Sequence, residues 1–254
     1  METTDDAVLG GRLRLLQPRR GHRVGHDAIL LAAATGGRAG DHAVDFGAGI
    51  GGAGLALAAR VPGLRVTLIE IERPLCDLAS ENARRNALAD RVHAVACDVE
   101  DTAALVSAGL REASADRVLM NPPFNDPASQ QSSPDSGRRR AHVAQQGSLA
   151  RWLASAGWML KPNGVLTLIW RAAERDAVVA ALAPAFGAIA VMPVLPRPEA
   201  DPIRILVRAV KGGAGRLPDL PALALNDAGG KPSAEAEAVL REAKPLSLAA
   251  IAGD

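Results

Sequence analysis

The chain has 254 residues, 48% of them hydrophobic and 22% charged, with a formal net charge of +1; this suits one large folded α/β domain and excludes a disordered, fibrous or globally basic protein. Cys76 and Cys97 lack CxxC spacing and the five histidines form no ligand pair, so reduced thiols and no metal are expected. The opening METTDDAV is acidic, and no stretch approaches the roughly 20 apolar residues of a membrane span, so a cytoplasmic protein without a membrane partner is expected.

Residues 1–42 read as an N-terminal cover segment, with RLRLLQP followed by a helix around DAILLAAAT. From Ala43 short β-type runs alternate with helical stretches. AVDF enters the glycines GAGIGG, GLALAAR is helical, RVTLIE is a strand, PLCDLASENARRNAL is helical and RVHAVACD is a strand. DRVLM, a helix over 149–160, GVLTLIW, a helix over 173–182, AIAVMPVL and IRILVRAV continue the pattern. About seven strands in such alternation predict an α/β fold, a Rossmann-like parallel sheet with helices on both faces, over 43–210. Residues 211–254, rich in Gly, Pro and Ala before the helix-forming SAEAEAVLREA, read as a C-terminal extension packed on the same domain. Residues 125–146 are polar and long for a connection, which points to a functional loop or a mobile one.

VDFGAGIGG places Gly47, Gly49 and Gly51 where the first strand turns into a helix, a turn at which backbone can approach a nucleotide-like cofactor closely. Gly47, Gly49 and Gly52 also satisfy GxGxxG, so nicotinamide binding is a rival. Asp45 favours S-adenosyl-L-methionine, because an acid there attracts the methionine ammonium but lies unfavourably near a pyrophosphate. Glu70, ending RVTLIE, can accept both ribose hydroxyls of either cofactor. Asp98, ending the next strand, can accept from an adenine amino group or simply cap a helix beginning near Asp101.

Asn121-Pro122-Pro123-Phe124 follows DRVLM at the carboxyl end of the sheet, where α/β ligand sites form. An aromatic amine is a poor nucleophile because its lone pair is delocalised into the ring. If the Asn121 side-chain oxygen and the Pro122 carbonyl accept its two N–H bonds, that lone pair is drawn toward a sulfonium methyl. The prolines stiffen the turn. Phe124 offers a face for a base, a contact worth about 1–3 kcal/mol. Catalysis would then be orientation and electrostatics. Farther on, Arg138, Arg139 and Arg140 form a cluster that is either solvated or aimed at phosphates, together with Arg19, Arg20 and Arg23 of the leader.

With these residues the chain resembles the class I methyltransferases carrying an [ND]PP[YFW] motif, and more closely the tRNA adenine-N6 methyltransferases that act beside the anticodon of a valine tRNA. The resemblance spans most of the chain: GRLRLLQPRRGHRVGHDAILLAAA, VDFGAGIGGAGLALAAR, IEIERPLCDLASENARRNAL, NPPF and LALNDAGGKPSAEAEAVLREAKPL. It implies a seven-stranded methyltransferase fold, with S-adenosylmethionine at Asp45, Gly47, Gly49 and Glu70 and the acceptor base at residues 121–124. It further implies that the leader folds over the cofactor, so that Asp27 touches the amino-acid end; Asp27 as N-cap of a helix from Ala28 is the alternative. RNA, and tRNA in particular, is the implied partner. The tetrapeptide also occurs in enzymes that methylate guanine N2 in ribosomal RNA, DNA adenine or a release-factor glutamine, and a non-catalytic RNA-binding relative is a further alternative.

Overall fold

The computed structural model describes residues 1–20, 23–123 and 136–251, with side chains described throughout except at 136–146. The chain opens with an antiparallel hairpin, β1 (Thr3–Val8) and β2 (Leu13–Pro18). After α1 (His26–Ala34) come β3 (His42–Phe46), α2 (Gly52–Arg60), β4 (Arg65–Glu70), α3 (Arg73–Arg85), β5 (Val92–Ala96) and α4 (Thr102–Ser107). They are followed by β6 (Ala115–Met120), α5 (Ser136–Met159), β7 (Leu160–Arg171), α6 (Arg175–Leu182) and β8 (Phe186–Leu195). β9 (Arg204–Lys211), β10 (Leu223–Ala224) and α7 (Ala234–Glu242) come next, and a short 3-10 turn, Ser247–Ala250, closes the described chain.

Eight strands form one sheet in the order β10-β8-β9-β7-β6-β3-β4-β5. β5, β4, β3, β6 and β7 run parallel, and β9 lies antiparallel between β7 and β8. The apolar runs of these strands are explained by burial on both faces: Val44, Phe46, Leu68, Ile69, Val118, Leu119 and Met120 are all buried. One face packs on α1, α2, α3 and α7 through residues such as Leu31, Leu55, Ala79 and Val239. The other packs on α4, α5 and α6 through Leu105, Trp152, Met159 and Leu182.

The predicted seven-stranded sheet therefore has an eighth, marginal strand, the two-residue β10. Its position inside a Gly/Pro/Ala-rich tail left no periodic signal. The helix expected over 149–160 begins at Ser136 instead, so part of the expected 125–146 loop is helical. Arg, Ala and Gln in that stretch are good helix formers without an apolar stripe to announce them.

The leader is tied down by α3. Asn82, fully buried, accepts the Leu16 N–H at 2.7 Å on Oδ1 and donates from Nδ2 to the Leu16 carbonyl at 3.1 Å. One turn later Asn86 treats Arg14 in the same way, with both distances 2.9 Å. Two amides at i and i+4 thus satisfy the β2 edge as a neighbouring strand would. Asn82 Nδ2 also donates to the Ile50 carbonyl at 3.1 Å, which joins the leader to the glycine loop.

Candidate functional site

Strand order reverses between β3 and β6, the place where parallel sheets open a ligand crevice at their carboxyl ends. Phe46 is paired with Ile69 on one side and with Met120 on the other. Gly47, Glu70 and Asn121 therefore leave three adjacent strands at one level.

The glycines of the β3–α2 turn answer different needs. Gly47 has φ 63°, and a Cβ there would stand 2.6 Å from Trp152 Cη2. Gly51, at φ 89°, is packed against Leu68 and Leu55, and a Cβ on Gly52 would meet Val24 of the leader at 2.5 Å. Gly49, at φ 56°, is unlike these, since a Cβ would meet nothing within 4 Å and would project into open space. That space is where a ligand can approach the backbone, and the left-handed φ keeps the position suited to glycine.

Glu70 closes the other side of that space. Its Oε2 accepts the Gly49 N–H at 2.7 Å and its Oε1 the Glu72 N–H at 2.9 Å. Each oxygen keeps a lone pair, so the fixed carboxylate can take the two hydroxyls of a ribose. Next to it Ile71 is 63% exposed, an apolar side chain beside an otherwise polar turn. Sequence reasoning passed over Ile71; an apolar residue directly after the strand-ending acid was the available signal.

Asp45 stands differently from the sequence expectation. It is only 2% exposed, and its Oδ2 accepts the Gly54 N–H of α2 at 2.8 Å. Burial pushes its carboxyl up to about 7, helped by the nearby Glu70 charge and opposed by the Gly54 hydrogen bond. The side chain thus anchors the first turn of α2 from below the loop, because a helix N-terminus offers it unpaired N–H groups.

Asp98 is half-buried and accepts the Glu100 N–H on Oδ1 at 2.8 Å. The capping of α4 falls to Asp101, whose side chain accepts from Ala103 and Ala104. Asp27 is not an N-cap, since α1 is preceded by Gly25 as its cap residue. Its carboxylate instead accepts from Arg204 Nε at 3.0 Å, joining the leader to the start of β9. The leader arginines also differ from expectation. Arg23 is bound to Asp6 at 2.7 Å and to Thr4 at 3.0 Å, and Arg19 lies 3.7 Å from Glu2. The acidic opening of the chain folds back as β1 beside them and pairs with Arg23 and Arg19.

Asn121 carries the most telling feature. Its Oδ1 is buried and accepts no hydrogen bond among the described residues. A buried acceptor without a donor costs about 1–3 kcal/mol, so it stands ready for one. Pro122 behind it is buried. Phe124 lies outside the described residues, as do the side chains of Arg138, Arg139 and Arg140, whose backbone belongs to α5.

A cavity of about 600 Å³ lies between the hairpin turn, the start of α1 and α7, with Val24, His26, Asn226 and Arg241 on its wall. Among the described residues there is no cluster that could hold a metal ion and no helix long and apolar enough to cross a membrane.

Residues 24–193 match the methyltransferase small domain model, which is more than half of the chain. The chain belongs to the methyltransferase small domain family. Its fold is that of the class I S-adenosylmethionine-dependent methyltransferases. A curated tRNA1(Val) (adenine(37)-N6)-methyltransferase of Porphyromonas gingivalis is 33% identical over 151 residues, 58% of this chain and 58% of that protein. One of the same name from Tolumonas auensis is 28% identical over 165 residues, 65% of each chain. The chain thus spans less than two thirds of the length of these relatives. Among solved structures, a protein of Agrobacterium tumefaciens described as a predicted O-methyltransferase superposes with a TM-score of 0.70 at 28% identity, covering 84% of this chain and 94% of its own.

Proposed function

We propose that this chain transfers the methyl group of S-adenosyl-L-methionine to the exocyclic N6 of an adenine in RNA, and that the RNA is a tRNA modified near the anticodon. The observation that carries the reading is the buried Oδ1 of Asn121, without a hydrogen-bond donor among the described residues, at the strand switch point, one strand away from Gly47 and two from Glu70. The names of the curated relatives support the adenine and the tRNA.

S-adenosylmethionine supplies an electrophilic methyl on a sulfonium. The residues of this chain do the rest. Glu70 accepts the ribose hydroxyls, the open side of Gly49 admits the donor against backbone, Ile71 packs on the adenine ring and Asp98 takes its amino group. Asn121 Oδ1 and the Pro122 carbonyl accept the two N–H bonds of the acceptor amine, which turns its lone pair toward the methyl. The amine proton passes to water after transfer. Phe124 is the stacking face for the acceptor base, and Arg138, Arg139 and Arg140 are the phosphate contacts of the RNA. A hydroxyl acceptor would present one hydrogen and require a base, whereas the Asn121 amide oxygen is an acceptor without basicity. A tRNA substrate places the activity in the cytoplasm.

The test is label transfer from S-adenosylmethionine to bulk RNA from cells lacking the protein, compared with DNA and a release factor. Label in N6-methyladenosine supports the reading. Label in N2-methylguanosine or in a glutamine amide replaces it with the corresponding alternative.

A further inference from the structure

Glu100 lies two residues beyond Asp98, in the turn between β5 and α4, and gathers three side chains of α5. Its Oε1 accepts from Trp152 Nε1 at 3.0 Å and from Ser148 Oγ, and its Oε2 accepts from Arg151 Nε. Its own N–H is the one that donates to Asp98. The Trp152 ring held in this way stands edge-on to Phe46, with centroids 6.3 Å apart and planes at 71°. The same ring fills the space beneath Gly47.

The Arg151 side chain is 56% exposed, so its ion pair is of the surface kind that contributes little, but the Trp152 contact is not. Trp152 is buried, at 6% exposure, and the Glu100 side chain is three-quarters covered, at 24%. Burial alone would raise the Glu100 carboxyl. The hydrogen bonds from Ser148, Arg151 and Trp152 and the Arg151 charge outweigh it and hold the group below the usual carboxylate range, so it is ionised at neutral pH.

We propose that Glu100 is a positioning residue for the methyl-donor pocket: through Trp152 it sets the level of the Gly47 turn, and through its backbone it fixes the Asp98 carboxylate that faces the donor's adenine. The same carboxylate fixes α5, the helix that follows the Asn121 segment, so the donor and acceptor sides of the site share one anchor. The proposal rests on the donor reading given above, and its test uses S-adenosylhomocysteine alone, with no RNA.

Calorimetric titration of the parent, E100Q, E100A and W152F with S-adenosylhomocysteine, beside circular dichroism, makes the test. Gln keeps an oxygen for Trp152 and Ser148, so E100Q is expected to bind within about threefold of the parent. E100A is expected to lose about tenfold or more in affinity while remaining folded, a loss that the conservative variant rescues. W152F keeps a ring under Gly47 but has no N–H for Glu100, and should lose about fivefold; it decides the matter if E100A does not fold. Parent-like binding by E100A, or by W152F where E100A is unfolded, contradicts the role of Glu100. A parent that does not bind S-adenosylhomocysteine contradicts the donor reading itself, and this proposal with it.

Discussion

Gly47 and Asn121 leave neighbouring parallel strands one residue beyond a paired couple, Phe46 and Met120. The glycine turn and the Asn121-Pro122-Pro123 turn are therefore held by a single rung of the sheet, and their separation is fixed by backbone pairing. A shift of one residue in the β3–β6 register would turn Asn121 away from the crevice. Placement of this kind supplies orientation without moving parts.

Asn121→Ala should separate chemistry from binding. Loss of an acceptor that acts on the reacting amine is expected to lower kcat by about 100-fold or more, as for other preorganised polar groups in active sites. Affinity for S-adenosylhomocysteine should be unchanged. The buried oxygen has no donor among the described residues, so its removal should not lower the melting temperature. Steady-state kinetics and thermal melts check the pair of outcomes; a large stability loss with retained turnover would assign Asn121 to structure.

Glu70→Ala is expected to weaken S-adenosylhomocysteine binding by about 1–3 kcal/mol, since a charged acceptor is lost to the ribose. The Gly49 and Glu72 N–H groups also lose their partner, so a small fall in stability should accompany it. Isothermal titration reads the first effect and denaturant unfolding the second. Retained affinity would remove Glu70 from the pocket.

Much of this arrangement was legible in the sequence because it resides in local patterns. The turn from AVDF into the glycines, the acid ending RVTLIE and the NPP turn after DRVLM each stand within a few residues of where strand periodicity stops. What escaped depends on contacts distant in sequence. The descent of Asp45 beneath the loop is set by Gly54 and by burial. The pairing of Arg23 with Asp6 required knowing that TTDDAV folds back as a strand, which its polar letters conceal. Gly47 looked like a cofactor glycine, yet its neighbour is Trp152, more than one hundred residues later in the chain.

Gly47→Ala and Gly49→Ala should diverge for that reason. Both place a side chain at positive φ, which costs about 1–2 kcal/mol. At Gly47 the methyl also meets the Trp152 ring, so a further loss of about 1–3 kcal/mol from overpacking is expected. At Gly49 the methyl enters open space, and the added effect should fall on donor affinity instead. Urea unfolding and calorimetry on the two variants test it; equal stability losses would contradict the packing difference.

Asp45 gives the protein a pH dependence of known sign. Its carboxyl, ordinarily at 3.8, sits at about 7 in the fold. Between those values the folded state retains a proton that the unfolded state has released, so stability falls as pH rises through this window and levels off above it. Asp45→Asn cannot ionise but keeps an oxygen for the Gly54 N–H. The variant should melt higher than the parent above about pH 7 and close to it near pH 4, as read by scanning calorimetry. A difference independent of pH would show that burial does not hold the proton on Asp45.

The most direct measurement of the central claim is nucleoside analysis of tRNA from cells lacking this protein, complemented with the parent gene or with Asn121→Ala. The account predicts that N6-methyladenosine is absent from a tRNA of the deletion strain, returns with the parent and does not return with Asn121→Ala expressed at the same level. Unchanged N6-methyladenosine in the deletion strain, or full restoration by Asn121→Ala, would contradict it.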